Sequence, residues 1–268
     1  MSLKQREQFR SRYGTWAVVT GASSGIGRAV ATELAVKGLN LVLVARREAE
    51  LGQIAKDLSG KHGVETRVLA ADLATATALT LIEMETEDLD VGLLVAAAGF
   101  GTAGNFIDAK LEDELAMLDV NCRAVMRLSL HFGRRLAKRG RGGLILFGSL
   151  VGYQGTPRAA HYAATKAYVQ TLAEALHVEL APKGVEVLSS APGPVKSGFS
   201  ARAGMKMSAA EKPETVARAT LNALGRKMTV TPGLISKFLT WSLMSAPRGL
   251  RVRIMGKIME GMTRHLYA

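Results

Sequence analysis

Tyr162-Ala163-Ala164-Thr165-Lys166 sets a phenol and an ammonium four residues apart, which places both on one face of a helix. An unperturbed tyrosine titrates near pH ~10 and holds its proton too tightly for work at neutral pH. A neighbouring cation favours the phenolate, so such a pair can protonate a carbonyl oxygen that is receiving a hydride and recover the proton in reverse. Ser149 precedes the tyrosine by thirteen residues and follows an apolar run, a position from which its hydroxyl can reach the same oxygen. Tyrosine and lysine fall at this spacing on many solvated helices, so the pair takes its meaning from the motifs around it.

One such motif is a glycine-rich turn. Thr20-Gly21-Ala22-Ser23-Ser24-Gly25-Ile26-Gly27 follows an apolar run and opens into a helical pattern. Glycines there permit a sharp turn and a close backbone approach to a pyrophosphate, while the free N–H groups of the helix start face the anion. The spacing is G-x-x-x-G-x-G, distinct from G-x-G-x-x-G, and a turn without a ligand is the plainer alternative. About twenty residues on, where such a fold places the group that meets the adenosine ribose, Arg46 and Arg47 end a strand that carries no terminal carboxylate. Two guanidiniums suit a 2′-phosphate, which favours NADP(H) over NAD(H). A pair of solvated arginines is the alternative, weakened because a cation at a helix start opposes the helix dipole. Asp72-Leu73 ends a further apolar run, where the carboxylate can accept from an adenine amino group, cap the next helix, or do both.

These groups need a scaffold that gathers strand ends. Short β-branched runs over 16–20, 39–44, 66–70, 92–96, 142–148, 185–189 and 228–231 alternate with helical periods over 25–37, 47–59, 74–87, 111–139, 158–180 and 212–224. That alternation is the pattern of a parallel sheet covered on both faces, a doubly wound α/β domain. In the long helix Leu111, Leu115, Leu118, Cys122, Val125, Ser129, Phe132 and Leu136 recur at spacings of four and three and are expected on one buried face. Cys122 is thereby a small core residue. As the lone cysteine it makes no intrachain disulfide and suits a reducing compartment such as the cytoplasm. The 268 residues, 48% hydrophobic and 22% charged, suit one domain with an appendage.

The formal net charge of +12 is unevenly spread. Residues 1–195 hold 22 basic and 20 acidic side chains and residues 196–268 hold 13 and 3, so the excess sits in the last quarter. The polar, basic start of the chain lacks the apolar core of a signal peptide. No run of about 20 apolar residues marks a transmembrane helix; 228–246 comes nearest and is interrupted by Pro232, Gly233 and Lys237. No nucleic-acid motif accompanies the charge, and neither a nucleic-acid partner nor a metal is expected.

Together the motifs resemble those of the short-chain dehydrogenase/reductase family from Thr15 to about Ser197. They are TGxxxGxG at 20–27, Ser149, YxxxK at 162–166, and Pro192-Gly193-Pro194-Val195-Lys196-Ser197 after the sixth strand. The resemblance implies a single Rossmann-type domain with a seven-stranded parallel sheet in the order 3-2-1-4-5-6-7, and hydride transfer between a nicotinamide and a CH–OH or C=O group. It implies Tyr162 as acid/base, Lys166 as holder of the nicotinamide ribose and modulator of the tyrosine, and Ser149 as the group orienting the substrate carbonyl. Asn121 looks like the family's fourth catalytic residue, whose main chain holds a water in the proton relay. Cofactor contacts are expected at Gly21, Ser23, Ser24, Gly25, Ile26, Gly27, Arg46, Arg47, Asp72, Leu73, Ala98, Gly99, Tyr162, Lys166 and Pro192, with Val195 and Ser197 at the nicotinamide carboxamide. Two positions depart from the pattern. Ala96-Ala97-Ala98-Gly99 stands where the family usually has Asn-Asn-Ala-Gly, losing amides that stitch the sheet to the cofactor loop, and Ser197 replaces a threonine while keeping its hydroxyl. Homodimers or homotetramers are implied as well.

Residues 1–232 are expected to form the catalytic domain, with a lid over about 198–212 that carries Met205 and Met207 and has Met228 nearby, followed by a basic helical appendage over 233–268. Flexible thioethers suit an apolar ligand of variable shape and equally an ordinary mobile loop. In the appendage Leu250, Ile254, Ile258 and Met262 recur every four residues, with Arg251, Arg253 and Lys257 off that line. Such a helix packs on a second subunit, closes over the site, or lies on an anionic membrane surface. The expected function is NADP(H)-dependent interconversion of a ketone and a secondary alcohol, the substrate apolar. Competing expectations are a non-catalytic NADP-binding sensor, disfavoured by the intact tyrosine and lysine, and a membrane-surface lipid-type dehydrogenase that uses the basic tail. An epimerase or dehydratase of the extended branch is disfavoured by the glycine spacing.

Overall fold

Val91–Ala96 and Gly142–Phe147 are buried at every position, which requires a sheet covered on both faces. The computed structural model, which describes residues 3–206 and 210–266, builds that sheet from seven strands. They are β1 (Trp16–Thr20), β2 (Asn40–Ala45), β3 (Thr66–Ala70), β4 (Val91–Ala96), β5 (Gly142–Phe147), β6 (Val185–Ser190) and the short β7 (Thr229–Val230). Their order is β3-β2-β1-β4-β5-β6-β7, as the resemblance implies, and every pairing is parallel. The chain reverses direction across the sheet between β1 and β4, so the carboxyl ends of these strands open the crevice where open α/β sheets bind ligands.

The helices are α1 (Leu3–Tyr13), α2 (Gly25–Val36), α3 (Glu48–His62), α4 (Ala76–Met84), α5 (Leu111–Leu118), α6 (Ala124–Arg139), α7 (Ala160–Leu180), α8 (Phe199–Arg202), α9 (Pro213–Ala223), α10 (Leu234–Met244) and α11 (Arg248–Thr263). One core layer lies between the sheet and α2, α3 and α9, the other between the sheet and α4, α6 and α7.

Four features differ from the sequence expectation. The single helix expected over 111–139 is interrupted by a π-turn at Asp119–Arg123, where the Ala124 N–H donates to the Asp119 carbonyl. One extra residue rotates what precedes it by about 100°. The expected stripe therefore holds from Cys122 through Val125, Ser129, Phe132 and Leu136, whereas Leu111, Leu115 and Leu118 are exposed and Glu114 and Met117 face inward. Thr75, and not Asp72, caps α4, its hydroxyl accepting from the Ala78 N–H. Helix α7 starts at Ala160 because Arg158 takes a left-handed φ of 64°, which ends helical pairing there.

The appendage supplies the fourth difference. Helix α11 buries Met255, Met259 and Thr263, the line next to the expected one, while Leu250 and Ile258 are exposed. The helix carries two adjacent apolar stripes, and periodicity alone does not choose between them. Contact with Leu150 and Leu243 on one side, and with Phe100, Tyr162 and Met205 on the other, selects Met255 and Met259. Met228 is exposed at the start of β7, away from the lid, and Met207 lies outside the described residues.

Candidate active site

The turn from β1 into α2 requires its glycines. Gly21 has φ of 69° and a Cβ there would stand 2.9 Å from the Ala98 backbone. A Cβ on Gly27 would strike the Gly21 carbonyl, so the helix can approach the strand this closely only without one. Ser24 takes an extended conformation before the first turn of α2, and Ser24 through Gly27 line the crevice.

The missing Asn-Asn amides are answered by other groups. The Thr20 hydroxyl accepts from the Ala98 N–H at 3.1 Å and reaches the Val95 carbonyl at 3.5 Å, tying the ends of β1 and β4 together. Asn121, fully buried in the π-turn, clamps the next peptide: its Oδ1 accepts from the Phe100 N–H at 3.1 Å and its Nδ2 donates to the Phe100 carbonyl at 2.8 Å. The same Nδ2 donates to Thr165 Oγ1 at 3.0 Å, joining the loop after β4 to α7 one residue before Lys166.

At the end of β2, Arg46 and Arg47 are both exposed, and Arg47 leans back over the glycine turn to donate to Ser23 Oγ at 3.0 Å. Arg47 also pairs with Glu50 at 3.3 Å. Asp72 Oδ1 accepts from the Ala74 N–H at 3.1 Å, a turn that holds it at the rim of the same crevice.

Ser149 starts the short turn after β5. Its hydroxyl donates to the Pro192 carbonyl at 3.4 Å and lies within hydrogen-bonding reach of Tyr162. Burial pushes the Tyr162 phenol above its ordinary range, and the hydrogen bond with Ser149 opposes that only in part. Lys166 Nζ sits 5.8 Å from the centroid of the Tyr162 ring and donates to the Phe147 carbonyl at 2.9 Å. Burial pushes this ammonium down to about 8. Burial is the larger effect on both groups.

After β6, Leu150 N–H donates to the Pro192 carbonyl at 3.0 Å, and Ser197 packs against the α2 turn, where a Cβ on Gly25 would lie 3.1 Å from the Ser197 Cβ. The segment then bridges Val195 to Glu211 and carries α8 over the site.

One cavity of about 520 Å³ joins these parts. Every residue expected to contact a cofactor lines it, and so does Ser149. Asn121 does not; it stands one layer behind, reaching the site through Phe100 and Thr165. Other wall residues include Phe199 and Arg202 from the expected lid and Ile258 and Met262 from the expected tail helix, while Phe100, Leu239, Leu243, Met255 and Met259 escaped sequence reasoning. Phe199 packs on Tyr162 with ring centroids 5.3 Å apart, and the Arg202 guanidinium lies 3.8 Å from the Phe100 ring centroid. For Leu239, Leu243, Met255 and Met259 the sequence signal was the concentration of apolar residues with methionine after the sixth strand, and Phe100 carried none.

A glycine cradle closed to any Cβ, beside a helix start and two exposed arginines, fits a phosphorylated dinucleotide. A buried tyrosine, serine and lysine at the far end fit proton transfer to an oxygen.

Comparison with known proteins agrees with this geometry. Residues 15–208 match the family model described as short chain dehydrogenase. A 7beta-hydroxysteroid dehydrogenase of Clostridium sardiniense is 34% identical over 233 residues, covering 85% of this chain and 89% of that protein. A solved structure titled for 7beta-hydroxysteroid dehydrogenase stereoselectivity superposes with a TM-score of 0.85 at 28% identity, covering 92% of this chain and 98% of that one. A short-chain dehydrogenase from Sphingobium yanoikuyae, solved in complex with NADPH, gives a TM-score of 0.79 at 30% identity over 87% of this chain and 96% of its own.

Proposed function

The chain belongs to the short-chain dehydrogenase/reductase family, oxidoreductases that act between CH–OH and C=O groups, and on that premise we propose an NADP(H)-dependent enzyme that interconverts a bulky apolar ketone and its secondary alcohol. One observation carries the reading. A single cavity has Arg46, Arg47 and the glycine turn at one end, Ser149, Tyr162 and Lys166 at its floor, and an apolar roof from Leu239 to Met262. The likeness to a hydroxysteroid dehydrogenase and to an enzyme solved with NADPH supports it.

In this reading Gly21, Ser23, Ser24, Gly25, Ile26 and Gly27 hold the pyrophosphate, and Arg46 and Arg47 hold the 2′-phosphate by charge-assisted hydrogen bonds. Asp72 and Leu73 border the adenine, Ala98 and Gly99 the riboses, and Pro192, Val195 and Ser197 the carboxamide. The bound nicotinamide supplies the hydride in reduction and takes it in oxidation. The chain's own task is the proton. Ser149 donates to the substrate carbonyl oxygen and fixes its direction, and Tyr162 Oη gives that oxygen its proton as the carbonyl carbon becomes an alcohol carbon. Lys166 stabilises the phenolate left behind and positions the ribose. Asn121 lies within the π-turn Asp119–Arg123, and in this reading its main chain holds a relay water.

The residues before α10 carry this chemistry, and α10 and α11 roof it. Leu111, Leu115, Leu118, Met126 and Leu130 form an exposed apolar strip along α5 and α6, which we assign to a homo-oligomer. The reading is tested by NADPH consumption against a panel of ketones graded by bulk. Bulky apolar ketones are expected to give the highest kcat/KM, and tighter binding of NADH than of NADPH overturns the cofactor assignment.

A further inference from the structure

Helix α10 has two apolar sides with different fates. Ser236 and Leu243 are buried, and Leu239 and Leu243 line the cavity. On the opposite side Leu234, Ile235, Phe238, Trp241 and Met244 face outward, Leu234 at 81% and Trp241 at 73% exposure. Spacings of four and three set Leu234, Phe238 and Trp241 along one stripe. Across the turn to α11, Leu250 and Ile258 are exposed as well, and Ile258 also lines the cavity. The rim of the cavity and the exposed apolar face thus meet at one residue.

The charge around this face is predominantly basic, with Glu211 beside Gly233 at the start of α10 an exception. Lys237, Arg248, Arg253, Lys257 and Arg264 are exposed there, and Glu260 is the single carboxylate over residues 234–266. A second copy is a poor occupant, because an isologous contact sets a patch against itself and brings these cations together. The apolar strip on α5 and α6 differs in this respect: Asp119 pairs with Arg123 and Glu83 with Arg127 beside it, so both signs are present for self-contact. An anionic bilayer answers both properties of the α10 face, taking the aromatic and aliphatic side chains into its boundary and the cations against its phosphates.

We propose that α10 and the outer edge of α11 form a docking surface for an anionic lipid bilayer, with Phe238 and Trp241 in the headgroup–acyl boundary and Lys237, Arg248, Arg253 and Lys257 against lipid phosphates. The contact is interfacial: among the described residues no helix is long and apolar enough to cross a membrane. Docking sets the cavity rim at the lipid boundary, where an apolar alcohol or ketone enters directly from the bilayer. This delivery role rests on the proposed reductase activity.

The test is flotation of the full chain with phosphatidylcholine vesicles, with and without phosphatidylglycerol, across a salt series. Trp241 emission is followed with brominated lipid as quencher. Binding to the anionic vesicles is expected to weaken as salt rises, with quenching that disappears in Trp241→Phe. The Phe238→Ser/Trp241→Ser variant is expected to lose partitioning by about tenfold or more while turning over a water-soluble ketone as the unaltered chain does. Absence of partitioning, or partitioning that survives the double substitution, overturns the proposal. So does self-association without vesicle binding that the double substitution abolishes, which assigns the face to a second copy. Turnover of the soluble ketone reports on the reductase reading separately from all of these outcomes.

Discussion

The floor and the roof of the cavity are built on opposite principles. On the floor and directly behind it, polar groups are buried and held: Asn121 by Phe100 and Thr165, Ser149 by Pro192, and Lys166 by the Phe147 carbonyl. Buried polar groups without partners are costly, so this arrangement locks positions and tolerates little change. The roof of α8, α10 and α11 meets the floor through apolar and ring contacts, among them Leu150 with Leu243 and Met255, and Phe199 with Tyr162. Methionine-rich contact is soft and adapts to shape. A fixed floor for one chemical step beneath an adaptable roof for a variable ligand is the division of labour that the difference teaches.

If that division is real, damage to the floor changes rate and damage to the roof changes fit. The largest effect is expected from Tyr162→Phe, which lowers kcat about 10³-fold with NADPH affinity kept; stopped-flow cofactor titration beside steady-state rates reads both. Met259→Ala is expected to cost about 2–5 kcal/mol of stability as a cavity in the roof and to raise KM for bulky ketones while sparing kcat on a small one. Denaturant unfolding and a substrate series check this, and an equal loss of kcat on every substrate breaks the comparison. Arg46→Ala/Arg47→Ala is expected to weaken NADPH about tenfold or more and leave NADH unchanged, read by fluorescence titration.

A smaller effect concerns pH. Burial lowers Lys166 to about 8 from its ordinary 10.5, so the folded state disfavours the charged form. That destabilisation is full below about 8 and fades as pH rises toward 10.5. Lys166→Met is therefore expected to exceed the unaltered chain in unfolding free energy most at neutral pH, by a margin that narrows above pH 8. A margin that widens instead removes desolvation as the dominant effect on this lysine.

Much of the floor was legible because backbone geometry and proton chemistry restrict residue type. The glycine turn, Ser149 and the Tyr162–Lys166 pair lie where strand ends converge, and the observed strand order is the one that the family resemblance implies. The roof left a fainter trace, since an apolar wall accepts many residues in many arrangements. Periodicity identified α11 as amphipathic but missed the most buried line, Met255 and Met259; of the expected line Ile254 and Met262 pack partly buried, Ile258 is exposed at the cavity wall and Leu250 is exposed. In α5 a single added residue turned Leu111, Leu115 and Leu118 outward.

By itself the sequence determined the doubly wound fold, the glycine turn and the Ser149, Tyr162 and Lys166 side chains that meet in one cavity, because each rests on local rules of backbone freedom, strand period and side-chain chemistry. Only the tertiary structure decided that the basic tail lines the cavity, that Asn121 sits one layer behind it, and that burial is the largest effect on Tyr162 and Lys166. Each of these depends on what packs against a residue from distant parts of the chain, and helical phase or charge count does not contain that information.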